Sequence, residues 1–270
     1  MSESSFRSPQ TSAPGSMRSA LAAVANLEQL LRSRNVAPKS IAQVLPDLEH
    51  CCSGLVADFE SMRQALPGAR VASSPAAVRA FLTHQVDAFE TAIRAATRRT
   101  LNAAGRLRLE NTVVEVSSDL AGLLPLVELW ADAHGESQLL EMVELLSLSR
   151  TGDQPQTPRA RITTAVLTAA SVPLKILAPP RALLNAIGLL ASVVSRQSSD
   201  RPIVLHTSFV DGESQLTIRL GTAPGRSVRL LRPPTVDVTL PTVIDVGAVL
   251  GLNIRPRSEL VVLSWRSPAP

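Results

Sequence analysis

The sequence predicts an α+β protein: a helical bundle or hairpin region followed by an α/β sandwich with helices on one face of a mixed sheet. Three observations carry this. Apolar residues recur at three- and four-residue spacing as far as about residue 149. The segment TGDQPQTP, residues 151–158, then interrupts the chain with two prolines, a glycine and no large apolar residue. Beyond it, short apolar runs suited to strands alternate with helical stretches. At 270 residues and 45% hydrophobic content the chain has material for two modest domains or one large one.

Residues 1–16 are dominated by Ser, Pro, Gln and Gly without any period, and read as a disordered tail. Residues 17–150 read as a helical, dimerisation-type region. Leu21, Val24, Leu27, Leu30 and Leu31 form one amphipathic run, and Ile41, Val44, Leu45, Leu48, Leu55, Phe59 and Met62 a second. Gly68 and Ser73-Ser74-Pro75 break the pattern, with Ser74 placed to cap a helix and Pro75 at its first position. That helix carries Val78, Phe81, Leu82, Val86, Phe89 and Ile93 on one face. A further helix is expected from Val113 to Ala133, closed by His134-Gly135, and a short one from Gln138 to Ser149.

Residues 151–159 read as a linker and 160–270 as the second unit. Ile162–Val166 and Leu174–Leu177 suit short strands, and Arg181–Arg196 a helix opened by Pro179-Pro180. Ile203–Val210 and Gln215–Leu220 alternate apolar and polar residues about Asp211-Gly212, a two-residue hairpin signal. A strand at Val228–Leu231, a helix at Pro241–Leu250 and strands at Leu252–Ile254 and Leu260–Trp265 complete the chain.

The charge balance narrows the function classes. The net charge is +4, but the cations are almost all scattered Arg, with Lys only at 39 and 175, and aromatics are 3% with no Tyr. A nucleic-acid surface combines a basic stripe with stacking aromatics, so nucleic acid is not the expected partner. Adjacent Cys51 and Cys52 would be strained as a disulfide, which points to a reducing compartment. The apolar run Ala20–Ala25 is too short for a signal-peptide core, and the apolar segments Ile162–Ala178 and Ala182–Val194 are interrupted by Pro173, Lys175, Pro179 and Pro180, so neither is expected to span a bilayer. A cytoplasmic protein without membrane contact is the expectation.

The last third also carries a family resemblance. APPRALLNAIGLLASVV, residues 178–194, resembles the sensor histidine kinase helix in which Asp-Pro-x-Arg-Leu leads into the Asn-containing N-box. The Asp211-Gly212 hairpin resembles the strand pair before the first glycine box. LPTVIDVGAVLGLNIRPRSELVVLSW, residues 240–265, resembles the last helix and closing strands of that GHKL-type ATPase-like domain. The likeness spans roughly residues 160–266 and rests on element order and apolar pattern.

Its nucleotide residues depart from the family. The Mg²⁺-carrying Asn of the N-box falls near Ser192, and the preceding Asn position near Gly188; a hydroxyl is a poor Mg²⁺ ligand. The first glycine box becomes Leu220-Gly221-Thr222-Ala223-Pro224-Gly225, with no adenine-reading Asp. The phosphate-cradling Gly-x-Gly box has no counterpart between Val228 and Leu240, a stretch too short for an ATP lid and containing Pro233 and Pro234. The resemblance therefore implies a degenerate kinase-like protein that takes no nucleotide cofactor.

A kinase-like last third implies a phosphotransfer hairpin before it. FLTHQVDAFETAI, residues 81–93, resembles the H-box by position, which makes His84 the candidate phospho-acceptor. Gln85 stands where the kinases carry an acidic base. The competing run SSDLAGLLPLVEL, residues 117–129, has the Asp-Leu and Leu-Leu spacing but Ser118 in place of His, and serine forms no phosphoramidate. The plain alternative for His84 is a polar residue at the edge of a helix face. His50, His134 and His206 lie on separate elements without i, i+4 pairing, so no metal is expected. Neither a G-x-S-x-G elbow nor a Walker loop occurs. Arg98, Arg99, Arg106 and Arg108 suit either an acidic partner or a solvated helix face.

The expectation is a non-catalytic or phosphotransfer-only signalling protein of a two-component-type system. It works as a homodimer, docks a protein partner such as a response regulator, and has no ATP-dependent kinase activity. The alternative is a helical scaffold that binds a partner through the amphipathic helices of residues 17–66, unrelated to phosphorelays.

Overall fold

The computed structural model describes residues 73–97, 103–148, 161–170, 173–196 and 201–266, with scattered helical positions between 18 and 57. The expected tail at 1–16, the linker at 151–159, Cys51-Cys52 and Arg98-Arg99 lie outside the described residues.

Two long helices come first, α1 (Ser73–Thr97) and α2 (Ala103–Asp132). They are joined by a few residues and pack on each other as an antiparallel hairpin. On α1 the residues Val78, Leu82 and Phe89 are buried, as the three- and four-residue spacing requires. On α2 the buried stripe Leu109, Val113, Val116 and Leu120 widens until nearly every residue from Leu120 to Trp130 is buried. A helix apolar all round must have neighbours on several sides. Here they are α1 on one side and, on the other, α4 (Pro180–Ser195) and α5 (Thr239–Val249).

The second unit is a six-stranded mixed sheet in the order β6-β2-β4-β5-β8-β7. Its strands are β2 (Arg161–Thr168), β4 (Ile203–Val210), β5 (Glu213–Leu220), β6 (Arg226–Arg232), β7 (Asn253–Pro256) and β8 (Leu260–Trp265). Only β2 and β4 run parallel; the other neighbours are antiparallel. Ala165, Leu167, Ile203, Leu205, Leu216, Ile218, Val261 and Leu263 turn inward toward α4 and α5. The hairpin between β4 and β5 is the two-residue turn Asp211-Gly212, with φ of 51° and 81°, a pair of positive values that Asp-Gly tolerates. Pro179 and Pro180 open α4, Pro180 at its first turn, as the sequence predicts.

Two elements differ from expectation. The stretch 138–149 is not a single helix: Gln138–Glu141 forms β1, followed by α3 (Met142–Leu148). β1 pairs antiparallel with β3 (Lys175–Ala178), with Leu140 opposite Ile176. A short apolar run does not distinguish strand from helix by period alone, and here a distant partner strand decides. α2 also begins ten residues before Val113, because Leu109 continues its stripe through a surface of Arg106, Arg108 and Glu110.

The result is three layers: sheet, then α4 with α5, then the hairpin of α1 and α2, all sharing one continuous apolar core. Asn185 of α4 donates from Nδ2 to the carbonyl oxygen of Pro125 on α2 at 3.0 Å, tying the second layer to the third. Val24 is fully buried in that core, and Arg18, at the surface, pairs with Glu128 of α2 at 3.3 Å. The apolar stripes of α1 and α2 are thus largely covered within one chain, Leu107 and Val114 excepted.

Candidate functional site

His84 is exposed on α1, and the hairpin sets opposite it the run that competed with its own. His84, Gln85 and Ala88 from α1 face Thr112, Glu115, Val116, Ser118 and Asp119 from α2 across an open groove of about 290 Å³. Ser118 and Asp119 of the competing run thus line the same groove as His84 and Gln85. Gln85, only 7% exposed, hydrogen-bonds the carboxylate of Asp119. Burial raises the Asp119 carboxyl above its ordinary value; Glu115 and Asp237 push the same way, while the Gln85 hydrogen bond and the charge of His84 oppose them. The groove therefore holds an imidazole, an amide, two hydroxyls and two carboxylates within reach of one another's charge.

In the sequence Asp119 stands out only as part of the Asp-Leu spacing; its relation to His84 depends on the antiparallel crossing of the helices, which no local signal encodes. Asp237, which with Glu115 raises its carboxyl, comes from the strap of residues 233–238 between β6 and α5. Arg196 holds that strap through Asp237 at 3.6 Å and through the carbonyl of Thr235. Val236 presses against Gly122 of α2, where a Cβ would lie 2.6 Å from Val236 Cγ1.

The positions that resemble a nucleotide site have other neighbours. Gly188 is buried against the Leu231 carbonyl oxygen, and a Cβ there would come within 3.0 Å of it. Ser192 is 6% exposed, and its buried Oγ has no hydrogen-bond partner among the described residues. Ser195, one turn on, accepts from the Arg232 guanidinium. Burial, and the neighbouring charge of Arg161, lower the proton affinity of that guanidinium. The chain from β6 through the strap thus packs directly on the C-terminal half of α4. The run 221–225 is occupied in carrying the chain from β5 past β4 and β2 to the edge strand β6. Gly221 donates to the Pro202 carbonyl at 3.0 Å, Thr168 donates to that of Pro224, and a Cβ on Gly225 would lie 2.5 Å from the Leu167 oxygen.

The remaining histidines sit apart. His134 closes α2 with Nδ1 at 2.9 Å from the Trp130 carbonyl, His206 is exposed on β4, and His50 is exposed at an isolated helical position. Among the described residues no three His, Cys, Asp or Glu side chains converge as a metal site needs, and no helix is long and apolar enough to cross a membrane. Arg106 pairs with Glu110 one turn on at 3.0 Å, and Arg108 is exposed.

No family model matches the chain, and no curated protein matches it. Among solved structures it is similar to the Acinetobacter baumannii histidine kinase AdeS, at 12% identity and a TM-score of 0.37, over 70% of this chain and 98% of that one.

Proposed function

We propose that the chain is a nucleotide-independent signalling protein of two-component type, which docks a response regulator or exchanges a phosphoryl group with it on the α1–α2 hairpin. The observation that supports this best is the groove itself. A solvent-facing imidazole stands among carboxylates on a rigid helical platform, while the kinase-like nucleotide positions on α4 are packed by the chain's own β6 and strap. Imidazole is nucleophilic in its neutral form near pH 7, so phosphoryl exchange with a partner's acyl phosphate needs no bound ATP.

Homodimerisation belongs to the same proposal, with a revised surface. Leu107 and Val114 of α2 remain 58% and 48% exposed, seven residues apart and so on one face. This short apolar stripe is where a second copy or a regulator would seat. The alternative, a scaffold that binds a partner through the amphipathic helices of residues 17–66, falls mostly on positions outside the described residues.

The test is to incubate the full chain with host response regulators carrying labelled acyl phosphate, beside His84→Ala. Label on the wild type that His84→Ala loses supports phosphotransfer. Regulator binding without label, equal in both proteins, leaves docking alone, and neither binding nor label sinks the proposal.

A further inference from the structure

We propose that Asp119 of α2, reaching across the hairpin, is the positioning base for His84, in the role that no residue beside His84 in sequence can fill. This rests on the phosphotransfer reading above. The residue after His84 is Gln85, whose amide accepts no proton from an imidazolium at neutral pH. The fold turns that amide inward and uses it to hold the Asp119 carboxylate. Glu115 lines the same groove but is exposed, whereas Asp119 is half-buried and tethered by a buried partner. A fixed carboxylate keeps its geometry through a reaction, which a solvated one does not.

The groups facing Asp119 are His84 and Gln85 from α1, Glu115 one turn earlier on α2, and Asp237 from the strap. Their sum, with burial, leaves a carboxylate of more than ordinary basicity beside the imidazole. In the step proposed, a ring nitrogen of neutral His84 attacks the phosphorus of an acyl phosphate on the partner. The N–P bond forms, the P–O bond to the partner's carboxyl breaks, and that carboxylate leaves with the electron pair. The proton on the other ring nitrogen passes to Asp119, giving neutral phosphohistidine and a protonated carboxyl. The reverse transfer returns the proton.

The experiment uses the full chain, with acetyl phosphate as the acyl-phosphate probe. The wild type is expected to take label at His84, and Asp119→Asn to take it about a hundredfold more slowly. The Asp119→Asn profile should also lose the acidic limb that carboxylate ionisation gives the wild type, and Asp119→Glu should recover part of the rate. Glu259→Gln, on the exposed turn before β8 and outside the groove, should leave the rate unchanged. Label on wild-type His84 with an unchanged rate and pH profile in Asp119→Asn would overturn the role of Asp119 and leave the phosphotransfer reading standing. No label on the wild type overturns both. A readout free of phosphate chemistry is carbon NMR of the Asp119 carboxyl. Its titration should move to higher pH in His84→Ala and in Gln85→Leu, and no movement in either would also overturn the proposal.

Discussion

Gly188 of α4 lies against the backbone oxygen of Leu231 so closely that no side chain fits between them. Gly188→Ala should therefore destabilise the protein by about 1–3 kcal/mol, since the obstacle is backbone and cannot rotate away. The unfolding midpoint should fall by roughly 2–4 °C for each kcal/mol. Ser192→Ala, one turn on, removes a buried hydroxyl without a partner among the described residues and should be neutral or slightly stabilising. A thermal melt of the two variants checks both; an unperturbed Gly188→Ala would mean that β6 does not sit on α4.

The same packing predicts the response to nucleotide. Occupying the α4 surface would require displacing β6 and the strap, with Arg232 and Arg196 released from Ser195, Thr235 and Asp237. Millimolar ATP with Mg²⁺ should leave the melting curve unchanged, and Ser192→Asn should not create a response. A ligand present at a hundred times its Kd would add about 2.7 kcal/mol, which a thermal-shift assay reads easily.

Asp119 gives a pH dependence of known sign. Its folded carboxyl binds a proton more tightly than the unfolded reference of 3.8, chiefly because burial disfavours the charge. Its contribution to stability is thus fully present below that reference and is lost as pH rises through the folded value. Asp119→Asn should keep the Gln85 contact while removing this loss. Near pH 7 the variant should melt at the same temperature as the wild type or slightly above it. The difference should vanish as the pH approaches 3.8. A variant less stable at pH 7 than at pH 4, relative to wild type, would reverse the sign.

For self-association, Leu107→Glu with Val114→Glu is the informative pair. Both side chains are exposed, so the fold should survive with little change in stability. If a dimer forms, sedimentation or light scattering on the full chain should show it at micromolar concentration and show its loss in the double variant. A wild type that is monomeric throughout would remove self-association from the proposal.

Legibility in the sequence followed the range of the interactions. Asp211-Gly212 and Pro179-Pro180 declare themselves because a turn or a helix start depends on a handful of adjacent residues. The α1 stripe of Val78, Leu82 and Phe89 is equally local. β1 was hidden because Leu139 and Leu140 become strand only through pairing with Leu177 and Ile176 on the far side of residues 151–158. The groove was half visible: His84 and Ser118 were each singled out as rivals, yet their facing one another depends on helix lengths and crossing. The burial of Gly188 likewise depends on where β6 returns, which depends on the whole sheet order.

The pairing of β1 with β3 has a consequence for how the molecule can be taken apart. Met142 donates to the Leu174 carbonyl at 2.9 Å and Trp265 Nε1 to that of Lys175 at 2.9 Å, so β3 is held from both sides of any break made between Leu148 and Arg161. Severing the chain there leaves two polypeptides that each expose half of one core, and neither half is complete as a folding unit. Made together they should find each other and reassemble, the smaller rescuing the larger from aggregation, so that this protein behaves as a split pair whose reunion can itself be measured.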